Sequence, residues 1–260
     1  MTYTKNDLKE QMRAMGIKPN DTVIIHTSFK AVGKIEGGPE AFIDAFCEYL
    51  CDGLFIVPTQ TWANVTKDSP IYDPKTSEPC IGLIPRTAYK RKDGIRSLHP
   101  THSMWVHGKG REEFVKGEET AETPAMVGGA WWKLGETGAK ILLIGVDHGR
   151  NTYIHAVDEI AGLDDRLSDE PWDVTVKTYD GQAVTHPFRP HDASKTGSLN
   201  FNNFEEAFVY HGVQTSGQIG DAYTRVVNAA KCRDVLLKIY SRTTENLCLV
   251  KQNIDKKYWI

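Results

Sequence analysis

The chain reads as an α/β protein: three layers, α/β/α, around a central mixed sheet, with a hairpin-containing C-terminal portion. Two observations predict this. Short apolar runs such as Thr22 to His26, Leu54 to Val57 and Ile141 to Gly145 alternate with helical patterns over the first 160 residues. That order is the signature of a sheet covered by helices on both faces. Beyond it, two β-prone runs, Val174 to Tyr179 and Gln182 to His186, flank Asp180-Gly181, a strong two-residue hairpin signal, so antiparallel pairing enters as well.

The elements follow in order. Lys5 to Met15 has helical spacing, with Thr4 and Asp7 placed as a capping box and Gly16 as the stop. After the strand Thr22 to His26, Gly37-Gly38-Pro39 punctuates the chain, and proline suits the first turn of the helix Ala41 to Leu50. The strand Leu54 to Val57 comes next. Leu83 to Lys90 reads as helix, Ser103 to Val106 as extended, Ala130 to Leu134 as helix, and Ile141 to Gly145 as a buried strand. Past the hairpin, Phe201 to Tyr210 and Ala222 to Tyr240 read as helices and Leu247 to Val250 as a last strand. No repeat, low-complexity tract or long linker divides the chain. The short stretch Glu170 to Trp172 reads as a loop, so residues 1–260 are expected to form a single domain.

Composition narrows the function. The 260 residues are 40% hydrophobic and 25% charged, ordinary for a globular chain, and the formal net charge is −3. That balance argues against nucleic acid or acidic lipid as partner, since both select basic surfaces, and favours small molecules. The polar N-terminus and the lack of any run near the ~20 apolar residues of a membrane span point to the cytoplasm. Five cysteines without a zinc-like CxxC pair read as reduced thiols, and nothing in the pattern settles between a monomer and a homodimer.

Three segments carry chemistry. His26, Thr27, Ser28, Phe29 and Lys30, running on to Gly33, follow a strand, where hydroxyls, amides and a lysine suit an anionic ligand; the competing reading is a capped turn. Arg96, Ser97, His99, His102 and Ser103 form a dense set able to hold phosphate or amide groups. The rival there is a structural loop; metal binding by the two histidines lacks an acidic or cysteine partner beside them. In the third, after ILLIGV, a helix opening at Thr152 puts Asp158 and Glu159 three and four residues beyond His155, so either carboxylate can share a face with the imidazole. That arrangement suits a general base, and a surface ion pair is its structural alternative. Cys80, in a proline-bounded loop, is a candidate nucleophile whose commoner alternative is a buried inert thiol.

These segments are similar in order and spacing to the aminoglycoside 3-N-acetyltransferase family. The matching pieces are HTSFKAVG (26–33), GGPEAFIDAF (37–46), GLFIVPTQTW (53–62), YDPKTSEPCIGLIP (72–85), GIRSLHPTHSMWVHG (94–108), ETPAMVGGAWWKL (122–134) and ILLIGVDHGRNTYIHAVDE (141–159). The resemblance implies acetyl transfer from acetyl-CoA to a primary amine without an acyl-enzyme. It makes His26, Thr27, Ser28, Phe29, Lys30, Gly33, Arg96, Ser97, His99, His102 and Ser103 the cofactor channel and His155 the base that deprotonates the amine. Asp158 stands where the family usually has glutamate, and Glu159 is adjacent. The acceptor is expected to be an aminoglycoside. Thr59, Trp62, Tyr72, Asp73, Glu78 and Asp147 are the expected substrate contacts, the carboxylates because such antibiotics are polycations. No metal is expected.

Overall fold

The computed structural model describes residues 1–260. Its centre is a seven-stranded sheet in the spatial order Gln214–Ile219, Ala222–Asn228, Lys140–Ile144, Thr22–Thr27, Leu54–Pro58, Met104–Gly108 and Ile95–Arg96. The three central strands are mutually parallel; every outer pairing is antiparallel, which makes the sheet mixed.

Alternation along each central strand builds both outer layers. Ile24, Ile56, Ile141 and Leu143 face one core with helices Ala130–Glu136, Tyr153–Ile160 and Ala229–Tyr240; Val23, Ile25, Phe55, Val57, Leu142 and Ile144 face the other with Lys5–Ala14 and Gly38–Tyr49. Strand side chains alternate faces with a period of two, so a continuous apolar run fills both cores at once. The Lys5–Ala14 helix is held by the expected capping box, with Thr4 and Asp7 exchanging both bonds, and Pro39 sits in the first turn of Gly38–Tyr49.

Three segments differ from their expected form, and one strand carries no signal in the sequence. The segment Ala222 to Tyr240 is not one helix: Ala222–Asn228 is a strand, and only Ala229–Tyr240 is helical, capped by the Asn228 side chain accepting from Lys231 N. Thr224, Val226 and Val227 are β-branched, and Val226 and Val227 fill opposite cores, which outweighs helical spacing there. Its partner Gln214–Ile219, a polar edge strand with no apolar pattern, was not expected at all. Leu247 to Val250 forms a 3-10 turn, Leu247–Leu249, and pairs with no strand. Phe201 to Tyr210 is split between a 3-10 stretch, Ser198–Phe204, and the helix Glu205–Tyr210.

The hairpin exists, as Trp172–Lys177 with Ala183–Phe188, but its loop is longer than two residues, because the register pairs Ala183 with Lys177. It also stands apart from the central sheet, joining Ile71–Tyr72 in a separate three-stranded sheet around Val65, Tyr72, Val174, Val176 and Phe188. The central sheet is therefore mixed for another reason, its antiparallel outer strands.

Candidate active site

The carboxyl ends of the three parallel strands open into one cavity of about 1000 Å³, walled by residues that include Ile25 to Ser28, Val57, Pro58 and Val146. Ligands in open α/β sheets bind at this edge, where loops diverge from the strand ends. Helix Tyr153–Ile160 supplies His155, the loop after Arg96 supplies Thr101 and His102, and the chain after the hairpin supplies Pro190, His191, Thr196 and Ser198.

His155 is the centre of an aromatic cluster. Its ring lies 4.3 Å from that of His191 and 4.7 Å from that of Phe201, edge-on to the latter. Nδ1 is sealed from solvent without a hydrogen bond and lies 3.8 Å from Asp158 Oδ2. Nε2 makes no bond within the protein, so it is the nitrogen open to a ligand in the cavity. Asp158 is fully buried behind the ring; Tyr240 donates to its Oδ1 at 2.7 Å, Cys248 Sγ lies 3.6 Å from Oδ2, and Arg166 Nε is 4.0 Å from that same oxygen.

Glu159 points elsewhere. It accepts from Thr123 Oγ1 and from Ala125 N at 2.9 Å, and lies 3.4 Å from His191 Nε2. Burial pushes its carboxyl up to about 7 against the pull of those donors. Of the two carboxylates beside His155 in sequence, Asp158 is the one that meets it.

Of the residues expected along the cofactor channel, His26, Thr27, Ser28 and His102 line the cavity. His26 stacks on Trp131 at 6.2 Å, and burial lowers it to about 3, so it is neutral. His26 Nε2 and Thr27 Oγ1 are buried without partners. Phe29 instead packs edge-on against Phe42 in the core, Lys30 is exposed outside the cavity wall, and Gly33 serves a turn at φ 84° where a Cβ would sit 2.3 Å from Asp221 Oδ2.

The Arg96 group folds inward. Arg96 is 2% exposed and its guanidinium donates to Thr59 Oγ1, Ser103 Oγ, Pro74 O, Ser77 O and Thr59 O, while stacking over Tyr72 and Tyr89. A fork so occupied cannot also clasp a phosphate. Ser97 Oγ accepts from Met104 N, Ser103 Oγ donates to Thr59 O, and Tyr72 donates to Ser97 O. His99 has both nitrogens engaged, Nδ1 by the amides of Thr101 and His102 and Nε2 by Thr123 O. These residues brace the loop that presents His102. The structural reading of that loop accounts for them, and the two histidines do not converge on a metal-like cluster.

Among the expected substrate contacts only Trp62 lines the cavity, 52% exposed with Nε1 donating to Gln60 Oε1. Asp73 is held by Lys75 N and Lys177, Asp147 caps Gly149 N, and Glu78 is exposed off the wall. Cys80 borders the cavity, but its thiol donates to Gln60 O and burial raises it, the reverse of an activated nucleophile. All five cysteines are unpaired. The sequence reading missed Gln60, Lys67, Arg150, Asn151, Thr152, His191, Thr196 and Ser198. His191, in the run Arg189-Pro190-His191-Asp192, was the one with a visible signal.

The profile of the aminoglycoside 3-N-acetyltransferases matches residues 24–241, most of the chain. The chain belongs to this family. It is similar to aminoglycoside N(3)-acetyltransferase IV of Salmonella, 24% identical over 90% of the chain and 85% of that protein. It is likewise similar to aminoglycoside N(3)-acetyltransferase VII of Streptomyces paromomycinus, 26% identical over 84% of the chain and 79% of that protein. Among solved structures, aminoglycoside acetyltransferase AAC(3)-IVa superposes with a TM-score of 0.80 at 23% identity, covering 96% of this chain and 92% of that one. A histidine-to-alanine mutant of that enzyme is solved with a gentamicin, and AAC-IIIb, at a TM-score of 0.76 and 20% identity over 90% and 94% of the two chains, is solved with CoASH. These structural likenesses establish the shared fold. No helix is long and apolar enough to cross a membrane.

Proposed function

We propose that the chain transfers the acetyl group of acetyl-CoA to a primary amine, with His155 as general base; the names of its relatives make an aminoglycoside N3 amine the acceptor class to examine first. The single observation carrying this reading is the imidazole of His155, with its inner nitrogen turned to the buried Asp158 at 3.8 Å and its outer one facing a cavity of about 1000 Å³.

The chemistry follows from that placement. The amine nitrogen attacks the thioester carbonyl, one of its protons passes to His155 Nε2, and the tetrahedral species collapses with CoA sulfur leaving. The proton held by His155 goes to that thiolate. Asp158 stabilises the imidazolium formed between the two transfers, as a carboxylate behind a general base does. Thr27 Oγ1, buried without a partner at a strand end, is a donor available to the oxyanion. Thr59, expected from the sequence to contact the substrate, is engaged with Arg96 and Ser103 instead.

Pantetheine and phosphate groups would meet the strand-end loop His26 to Ser28 and the exposed cations Lys67 and Arg150 at the cavity wall. A donor drawn from metabolism and five unpaired thiols fit work in the cytoplasm, with the whole chain acting as one catalytic unit. His155→Ala is the test. Thiol release from acetyl-CoA should be lost while acetyl-CoA still binds by calorimetry; full activity in that variant would refute the general base.

A further inference from the structure

Two histidine–carboxylate pairs meet at the cavity. His155 with Asp158 is one; His191 with Glu159 is the other. His191 Nε2 is sealed from solvent without a hydrogen bond, 3.4 Å from Glu159 Oε1, while Nδ1 makes no bond within the protein and stays open on the cavity wall. Each ring therefore turns one nitrogen to a sheltered carboxylate and the other to the cavity, and the two carboxylates are consecutive residues of helix Tyr153–Ile160.

The second pair is firmly built. Leu167 and His191 form a lone antiparallel bridge, Ser168 N donates to Pro190 O at 2.8 Å, and Asp192 N donates to Arg166 O at 3.0 Å. Thr123 and Ala125 hold Glu159. The titratable groups facing His191 are Glu159, the His155 ring at 4.3 Å with Asp158 beyond it, and the His102 ring at 5.5 Å with His99 behind that. Asp192, next in the chain, turns to Ser194 and Lys195. Burial, then repulsion from His155, drives His191 to its neutral form. A carboxylate at Nε2 favours the tautomer that carries its proton there, which leaves the lone pair of Nδ1 to the cavity.

A primary amine is mostly an ammonium ion at neutral pH and has no lone pair to attack with. Making the amide removes two protons from that nitrogen, and the products hold only one of them, on the thiol of CoA. Resting on the acetyltransferase reading above, we propose that His191 is a second catalytic base, whose Nδ1 takes the first proton from the ammonium group of the acceptor while Glu159 stabilises the imidazolium. His191 passes that proton to water in the cavity. The freed lone pair then attacks the thioester carbonyl, the C–N bond forms and the C–S bond breaks, and His155 Nε2 takes the second proton and gives it to the departing thiolate. Two imidazolium rings 4.3 Å apart repel, so the first proton leaves before the second is taken.

Two measurements test this. Side-chain nitrogen NMR of the resting protein near neutral pH, with His191→Asn assigning the signal, should find the proton of His191 on Nε2 and none on Nδ1; a proton on Nδ1 overturns the proposal whatever the activity. Steady-state thiol release with gentamicin is then followed from about pH 6.5 to 8.5 for the unaltered protein, His191→Asn and Glu159→Gln, each with its Tm recorded. His155 is present in all three, so its own titration cancels in the ratios. Without His191 only the uncharged amine reacts, so kcat/KM should fall about 100-fold at the acid end, and the loss should shrink about tenfold per pH unit towards the pKa of the amine. Glu159→Gln, which keeps an oxygen for Thr123 and Ala125, should act in the same direction and add nothing further to His191→Asn; it carries the kinetic test if His191→Asn lowers the Tm below the assay range. A loss of constant size across the pH range, as a merely structural role would give, or one under about threefold throughout, overturns the proposal. The two readings fail separately: no thiol release by the unaltered protein with gentamicin, apramycin or simple primary amines contradicts acetyl transfer itself, whereas turnover with a pH-independent ratio contradicts only the part given to His191.

Discussion

Replacing Asp158 by Asn removes one charge from behind His155 and almost no volume. With Oδ2 3.8 Å from Nδ1, the attraction between carboxylate and imidazolium is about 4 kcal/mol at the effective dielectric of a protein site. Arg166 Nε, 4.0 Å from that oxygen, offsets part of the field, so a net loss of about 2 to 4 kcal/mol is expected in the step where His155 holds the proton. That corresponds to a fall in kcat of about 30- to 1000-fold. The fold should survive, because the amide oxygen can still accept from Tyr240 and Arg166 keeps its 2.9 Å pair with Asp165. The assay is thiol release at saturating acetyl-CoA with an acceptor that the unaltered protein turns over. The KM for acetyl-CoA should change little. A kcat within about threefold of the original would refute the assignment of Asp158 as the partner of the base.

Three further outcomes follow from the structure. Arg96→Met should destabilise the fold by about 3 to 5 kcal/mol through its unpaired acceptors, seen as a lower Tm, without a selective rise in the KM for acetyl-CoA; a selective rise would mean that the guanidinium reaches a phosphate after all. Stability should fall as the solution is acidified from pH 7 to 5. Burial lowers His26 to about 3 and His99 to about 4, and lowers His102, His148 and His191, so these rings gain protons only on unfolding and their stabilisation, present above about 6.5, is lost as pH falls. Glu118 and Glu159, raised to about 7, act the opposite way, stabilising below about 4.5 and losing that as pH rises. More groups gain protons than release them on unfolding, so net proton uptake persists near pH 5.5 and stability falls with acid; denaturation midpoints that stay level over that window would contradict it. Gly220→Ala should cost about 2 to 4 kcal/mol, because the residue sits at φ +58° and a Cβ would lie 2.1 Å from Val32 O; an unchanged Tm would contradict the close approach.

Much of the fold was legible because the central strands fill both cores with apolar side chains and the helices carry ordinary caps. Thr4 with Asp7 and Pro39 announced their helices in the sequence. Gln214–Ile219 was hidden because an edge strand facing solvent has no apolar pattern to read, and the strand at Ala222 was absorbed into the helix that follows it. In the site, helical spacing put both Asp158 and Glu159 within reach of His155 without choosing between them; the choice comes from Thr123 and Ala125, which hold Glu159 away. Arg96 misled for a physical reason: a guanidinium that clasps carbonyls looks, in sequence, like one that clasps phosphate. His191 and Lys67 come to the cavity from far along the chain, and no local spacing ties them to His155.

As general base, His155 takes the proton of the attacking amine. Single-turnover acetyl transfer by the unaltered protein and by His155→Ala, each preloaded with acetyl-CoA and mixed with an acceptor it binds, isolates that step. The variant should bind both substrates and transfer acetyl at least about 100-fold more slowly, in line with the loss of a general base. Equal single-turnover rates would contradict it.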